Sequence, residues 1–292
     1  MWSQAAQPPY RYISRRIVGF QMDSLKLLLG IFPADLHRAI MFALIARLSS
    51  ADWIDGNAVR RPALHTAFSV NSLAASLSRP FETVRRHVLA MEQAGVCART
   101  ASGITLSPSP EREADILRFY EEQAIVLRQL AMDLAARNIP LPAADGAASN
   151  PMLLMANAAL DIGLVALENN PHSNWSELIL HGTLIYENAR DVMEDSDMAT
   201  AYADKVIPDD LRRPVKIRAL SETYGIPYAT VRRHIETMLA IGAMQRKGSG
   251  YVLKTEWTAE PARLEMSDRT VQYLLRHFRT LAAAGVDLTA PL

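Results

Sequence analysis

The chain has 292 residues, 49% of them hydrophobic and 21% charged, and its 31 basic residues balance 31 acidic ones. That composition excludes intrinsic disorder, supplies apolar material for two ordinary domains, and gives no overall positive charge to draw in nucleic acid. The single cysteine, Cys97, cannot form an internal disulfide, so a reducing cytoplasm is the expected compartment and a small buried apolar role the expected use. Residues 1–22 carry Arg11, Arg15 and Arg16 without an acid and lack the apolar core of a secretory signal, so an irregular N-terminal arm is expected. The apolar run from Leu25 to Leu48 contains Pro33, Asp35, His37 and Arg38, and the run from Met152 to Leu167 contains Asp161. Neither offers the ~18 uninterrupted apolar residues of a membrane span, and a soluble protein without a membrane partner is expected.

Asp35 to Leu48 has helical spacing, with Leu36, Ile40, Ala43 and Leu44 on one stripe. Beyond Arg60-Arg61-Pro62 comes the stretch that organises the chain, Thr83-Val84-Arg85-Arg86-His87. It returns 147 positions later as Thr230-Val231-Arg232-Arg233-His234. At the same offset Val70 falls on Ile217, Pro80 on Pro227, Phe81 on Tyr228, Met91 on Met238, Gly95 on Gly242 and Leu106 on Leu253. An ungapped register of this length reads as an internal duplication. In each copy the pattern is a short helix, a tight turn, a second helix and a hairpin. Asn71 or Ser72 can cap the first helix, Ser78-Arg79-Pro80 breaks it, and Phe81 to Ala94 forms the second with Val84, Val88 and Met91 inward. Gly95 ends that helix, and Cys97 to Leu106 folds back around Ser102-Gly103. The second copy uses Gly225-Ile226-Pro227 as its turn and Gly248-Ser249-Gly250 as its hairpin tip.

Glu111 to Asn138 has the spacing of a long helix, and Pro140 to Pro151, rich in Pro, Ala, Gly and Ser, reads as a linker. Trp175 to Val192 is the second-half counterpart of the helix from Asp35, at an offset of 140. Arg212-Arg213-Pro214 repeats the basic dipeptide, and Glu265 to Gly285 closes the chain as a second long helix. The expected divisions are an arm over 1–22, a unit over 23–139, a linker over 140–151 and a second unit over 152–292.

The order helix, turn, helix, hairpin over Arg60 to Leu106 and Leu211 to Leu253 resembles the winged helix-turn-helix domain of bacterial transcriptional regulators of the MarR, GntR and IclR kinds. The resemblance implies a mainly α fold with small β-hairpin wings, two tandem winged units flanked by long helices, and a pseudo-dimer within one chain. It further implies that Phe81 to Ala94 and Tyr228 to Ile241 are recognition helices entering the major groove. Winged helices also serve as protein-binding modules.

Local charge fits a nucleic-acid partner. From Arg60 to Leu106 the balance is +4, from Asp210 to Lys254 it is +6, and the remainder of the chain therefore sums to −10. An arginine fork can bind a guanine edge or a phosphate, which makes Arg85, Arg86, Arg232 and Arg233 candidate contacts. Thr83 and Thr230 can donate to phosphate or serve local packing; Arg99, Arg246 and Lys247 are candidate backbone contacts from the hairpins. Arg60-Arg61 and Arg212-Arg213 can touch phosphate or form solvated domain edges, and His87 and His234 are expected to be packed. The seven histidines form no zinc spacing, Gly248-Ser249-Gly250 lacks the lysine of a phosphate loop, and no GxSxG or HExxH occurs. No metal, cofactor or enzymatic activity is expected. The expected function is sequence-specific binding of double-stranded DNA in transcription regulation, with a homodimer possible. The alternatives are a plasmid or phage replication initiator and a protein-interaction module of a chromosome-organising complex. A small-molecule effector, if there is one, would bind among the helices around Trp175, His181, Tyr186 and Met193 or their first-half equivalents.

Overall fold

The computed structural model describes residues 9–33, 35–49, 54–55, 58–59, 69–77, 79–101, 103–168 and 174–291. Its first element, α1 (Tyr10–Ile31), replaces most of the expected irregular arm with a long helix. Ile13, Ile17, Phe20, Ser24 and Leu28 recur every three or four residues and are buried. The arginines that disguise this stripe fall between its members. Arg15 donates to the carbonyls of Tyr202 (2.7 Å) and Lys205 (2.5 Å), and burial, with Arg11 and Arg212 nearby, lowers its pKa to about 10. It remains a cation at neutral pH, with its charge facing carbonyl oxygens.

Next come α2 (Leu36–Ser49), a two-residue antiparallel pair β1 (Ile54–Asp55) and β2 (Ala58–Val59), then α3 (Val70–Ser76). The cap of α3 is Ser69, whose hydroxyl accepts from the Ser72 amide at 3.0 Å, not Asn71 or Ser72 as expected. The second helix is α4 (Phe81–Gln93), followed by Gly95 at φ 68 and by β3 (Cys97–Thr100) paired antiparallel with β4 (Gly103–Leu106). α5 (Pro110–Ala135) ends the first half.

The second half runs through α6 (Pro151–Glu168), α7 (Trp175–Glu194), the short α8 (Ser196–Ala201), a 3-10 turn at Asp209–Leu211, α9 (Ile217–Tyr224) and α10 (Tyr228–Ala240). The antiparallel pair β5 (Met244–Lys247) and β6 (Gly250–Leu253), α11 (Thr255–Thr258) and α12 (Pro261–Ala283) complete it. The fold is thus mainly helical with small antiparallel hairpins. α9, α10, β5 and β6 each begin 147 positions after α3, α4, β3 and β4. Two positive-φ positions keep the same offset: Gly95 with Gly242, and Asn138 with Gly285.

One hydrophobic core joins both halves. α1 packs against α5 of its own half and against α7 and α12 of the other; α6 packs against α12 of its own half and against α2 and α5 of the other. The buried Gln123 of α5 fixes part of this register: its amide donates to the Ser24 carbonyl (3.2 Å) while its oxygen accepts from the Ser24 hydroxyl (2.7 Å). Arg47 of α2 pairs with Asp161 of α6. The stretch from Pro140 to Pro151, expected as a linker, is tied down. The Asp145 amide donates to the Ala282 carbonyl (2.8 Å) and the Ala148 amide to the Gly285 carbonyl (2.9 Å). Gly285, at φ 81, has no room for a side chain, since a Cβ there would lie 2.7 Å from the Ala148 nitrogen. Among the described residues no single helix is long and apolar enough to cross a membrane.

Candidate nucleic-acid interface

Burial sorts each second helix into two faces. Val84, Val88 and Met91 of α4 are sealed in the core, as are Val231, Ile235 and Met238 of α10. Their periodicity leaves Phe81, Glu82, Arg85, Arg86 and Leu89 outward on α4, and Tyr228, Ala229, Arg232, Arg233 and Glu236 outward on α10. The four candidate arginines are therefore exposed.

Within each pair the two arginines differ. Arg85 forks onto Glu82, Nε to Oε2 at 2.9 Å and Nη2 to Oε1 at 2.6 Å. That hydrogen bond holds the Glu82 carboxyl below the ordinary carboxylate range and raises the Arg85 pKa. Arg232 reaches the other way along its helix, to Glu236 at 2.7 Å. Both pairs lie in solvent, where screening makes them exchangeable for a phosphate or a base edge. Arg86 and Arg233 make no side-chain hydrogen bond or ion pair among the described residues, so their donors are already available.

Thr83 and Thr230 are half-buried in the first turns, with their amides bonded to the Pro80 (3.0 Å) and Pro227 (2.8 Å) carbonyls. His87 is packed, stacked 6.2 Å from His37 with rings 17° apart, and desolvation lowers its pKa. Desolvation also lowers that of His234, whose Nε2 is buried without a partner.

The hairpin residues divide as well. Arg99 on β3 is exposed and held by Glu92 (3.2 and 3.1 Å). Arg246 on β5 is exposed, donating to the Tyr251 hydroxyl (3.2 Å) with its guanidinium 5.6 Å from that ring. Lys247 is occupied differently: its ammonium donates to the carbonyls of Asp209 (3.1 Å), Asp210 (2.6 Å) and Arg212 (2.7 Å). Three donors meeting three backbone acceptors leave none for phosphate, so Lys247 is a structural cap on the 3-10 turn and not an available contact. Arg212 is likewise internal. It is 5% exposed, bonded to Thr258 (2.8 Å) and 3.5 Å from Asp209. Arg213 is exposed beside Asp191 at 3.4 Å, and the first-half dipeptide, Arg60-Arg61, lies outside the described residues.

The second hairpin has supports that spacing alone does not reveal. Val215 bridges to Tyr251 through two backbone hydrogen bonds (3.0 and 2.9 Å), an approach that Gly250 permits because a Cβ there would meet the Val215 oxygen at 2.9 Å. Buried Asn188 of α7 donates to the Arg213 carbonyl (2.6 Å) and accepts from the Leu253 amide (2.8 Å). No family model, curated protein or solved structure matches the chain.

Away from the basic faces, Cys97 is buried in the hairpin base, and desolvation pushes its thiol up to about 12, so it is uncharged and packed. Of the residues expected around an effector, Tyr186 and Met193 line a cleft of about 280 Å³ among α1, α5 and α7, together with Arg16, Phe20, Leu130 and Asp133. Trp175 and His181 are elsewhere. Trp175 is buried beneath the Arg79 guanidinium (4.8 Å from the ring), which ties the turn before α4 to the start of α7. His181 packs on Trp257 with ring centres 4.9 Å apart.

Proposed function

We propose that the protein is a sequence-specific double-stranded DNA-binding transcriptional regulator whose chain is two duplicated winged helix-turn-helix units. In this reading α4 and α10 are the recognition helices and the β3–β4 and β5–β6 hairpins are the wings. The observation that carries it is the pairing of two outward basic faces at one fixed offset, each with an uncommitted arginine, Arg86 and Arg233, beside an exchangeable one, Arg85 and Arg232. The remaining contacts are Thr83, Thr230, Arg99 and Arg246, while Lys247 shapes the second wing from behind. Charge supports one docking orientation, because the excess positive charge sits on these segments and the rest of the chain repels phosphate.

The long helices support a pseudo-dimer. The first helix of each half, α1 or α6, is packed against the second and last helices of the opposite half. Such an exchange is the arrangement of a two-chain dimer that has been joined end to end. One polypeptide would then cover two half-sites about 10 base pairs, or a multiple, apart. The test is selection of bound sequences from genomic DNA, followed by titration of the winning duplex against salt. Affinity should fall by about one log unit per log unit of salt for each phosphate neutralised. Binding that is flat from low to physiological salt would replace this reading by the protein-interaction module.

A further inference from the structure

The proposed recognition face has an apolar component that the arginines do not explain. Phe81 opens α4 and Tyr228 opens α10, at matched positions directly after Pro80 and Pro227. They are 46% and 52% exposed, among the most exposed large hydrophobic side chains of the described residues. A single exposed aromatic is ordinary, but two at the same helical position, each one turn before an outward arginine, form a repeated feature of one surface. Neither sits where it could staple its own helix, because that role falls to the residue before the cap and these are the first residues after it. Side chains on a helix lean toward its N-terminus, a tendency that favours both rings lying at the helix start, ahead of Arg85 and Arg232.

We propose that Phe81 and Tyr228 are specificity-determining residues that read the C5-methyl group of a pyrimidine in the major groove. The inference rests on the DNA-binding reading above. Thymine is the base that offers an apolar group on its major-groove edge, and an aromatic ring is a suitable partner for it. Each half-site would then carry a thymine next to the base pair faced by Arg85 or Arg232. Tyr228 differs by a hydroxyl that can also hydrogen-bond a phosphate, so the two half-sites are related but unequal. The preference is for 5-methylpyrimidines as a class, so 5-methylcytosine would be accepted in place of thymine on this face.

The test uses the full chain and the duplex obtained by selection, with each thymine replaced in turn by deoxyuridine, which removes only the methyl group. Wild-type protein should lose affinity at one position in each half-site by about fourfold, the effect of one buried methyl group. Phe81→Ala should abolish the thymine–uracil difference in one half-site and Tyr228→Ala in the other. Phe81→Leu, which keeps an apolar contact, should retain part of it. Circular dichroism of each variant checks the fold, which exposed positions should leave intact. If salt-sensitive duplex binding is present but no thymine–uracil difference appears, or the difference survives both alanine variants, the proposal is overturned and the DNA-binding reading stands. If duplex binding is absent, both fall together.

Discussion

In the first half Arg85 leans back onto Glu82, whereas in the second Arg232 reaches forward onto Glu236, because position 229 is alanine where 82 is glutamate and position 89 is leucine where 236 is glutamate. Arg86 and Arg233, by contrast, make no side-chain hydrogen bond or ion pair among the described residues in either half. Behind α10, Asn188, Val215 and Lys247 brace the β5–β6 hairpin. Equivalent scaffolds thus carry one constant basic group and one that is tuned by its neighbours. In the proposed function that difference makes an imperfect palindrome the preferred site.

The largest effect should come from removing the brace. Asn188→Ala leaves the Arg213 carbonyl and the Leu253 amide without their partner inside the protein, at about 1 to 3 kcal/mol each, so denaturant unfolding should show a loss of about 2 to 6 kcal/mol. Hydrogen exchange should open β5 and β6 while β3 and β4 stay protected. Equal opening of both hairpins would show that the two are not separately supported.

Acid should act on the buried His181 next. Burial, with Arg263 and His234 nearby, holds His181 down at about 4 from its ordinary value of 6.5. The unfolded chain binds a proton there between pH 6.5 and 4 and the folded chain does not. The stability this group contributes is therefore fully present above about 6.5 and lost as pH falls to about 4, by up to roughly 3 kcal/mol. His181→Leu should flatten that part of the stability–pH curve. An unchanged slope would mean that His181 takes up its proton without unfolding the second half.

On DNA, Arg86→Ala and Arg233→Ala should each weaken one half-site, by about 1 to 3 kcal/mol if the lost contact is bidentate to a base. A phosphate contact would instead weaken all sequences alike and lower the salt slope by about one. Binding of each variant to a panel of half-site sequences separates the two. The smallest effect should be at the tuning position. Glu82→Ala releases Arg85 and removes a repelling charge, so binding should tighten a few-fold at low salt and less at high salt, while Ala229→Glu should do the reverse. Matching responses from both substitutions would erase the comparison.

Much of this was legible because periodicity and register are local. The inward stripes Val84, Val88, Met91 and Val231, Ile235, Met238, and the turns at Gly95 and Gly242, follow from spacing and backbone freedom alone. α1 was not legible, because its stripe is interleaved with Arg11, Arg15 and Arg16, and the carbonyls that make Arg15 tolerable belong to Tyr202 and Lys205, distant in sequence. Lys247 reads as a phosphate contact, and Arg212 as a phosphate contact or a solvated edge, for the same reason: a basic residue in a basic segment looks alike whether its donors face solvent or a folded-back oxygen. Only the three-dimensional path of the chain tells them apart.

The crossed placement of α1 and α6 has a mechanical consequence. Two units that merely share a tether can adjust their separation, but here each half holds the other's opening helix, and Arg79 over Trp175 ties the turn before α4 to the opposite half. The molecule is built as a fixed gauge. In the proposed function it would reject a pair of good half-sites set about five base pairs out of step, half a turn of the duplex, as firmly as it rejects a wrong base.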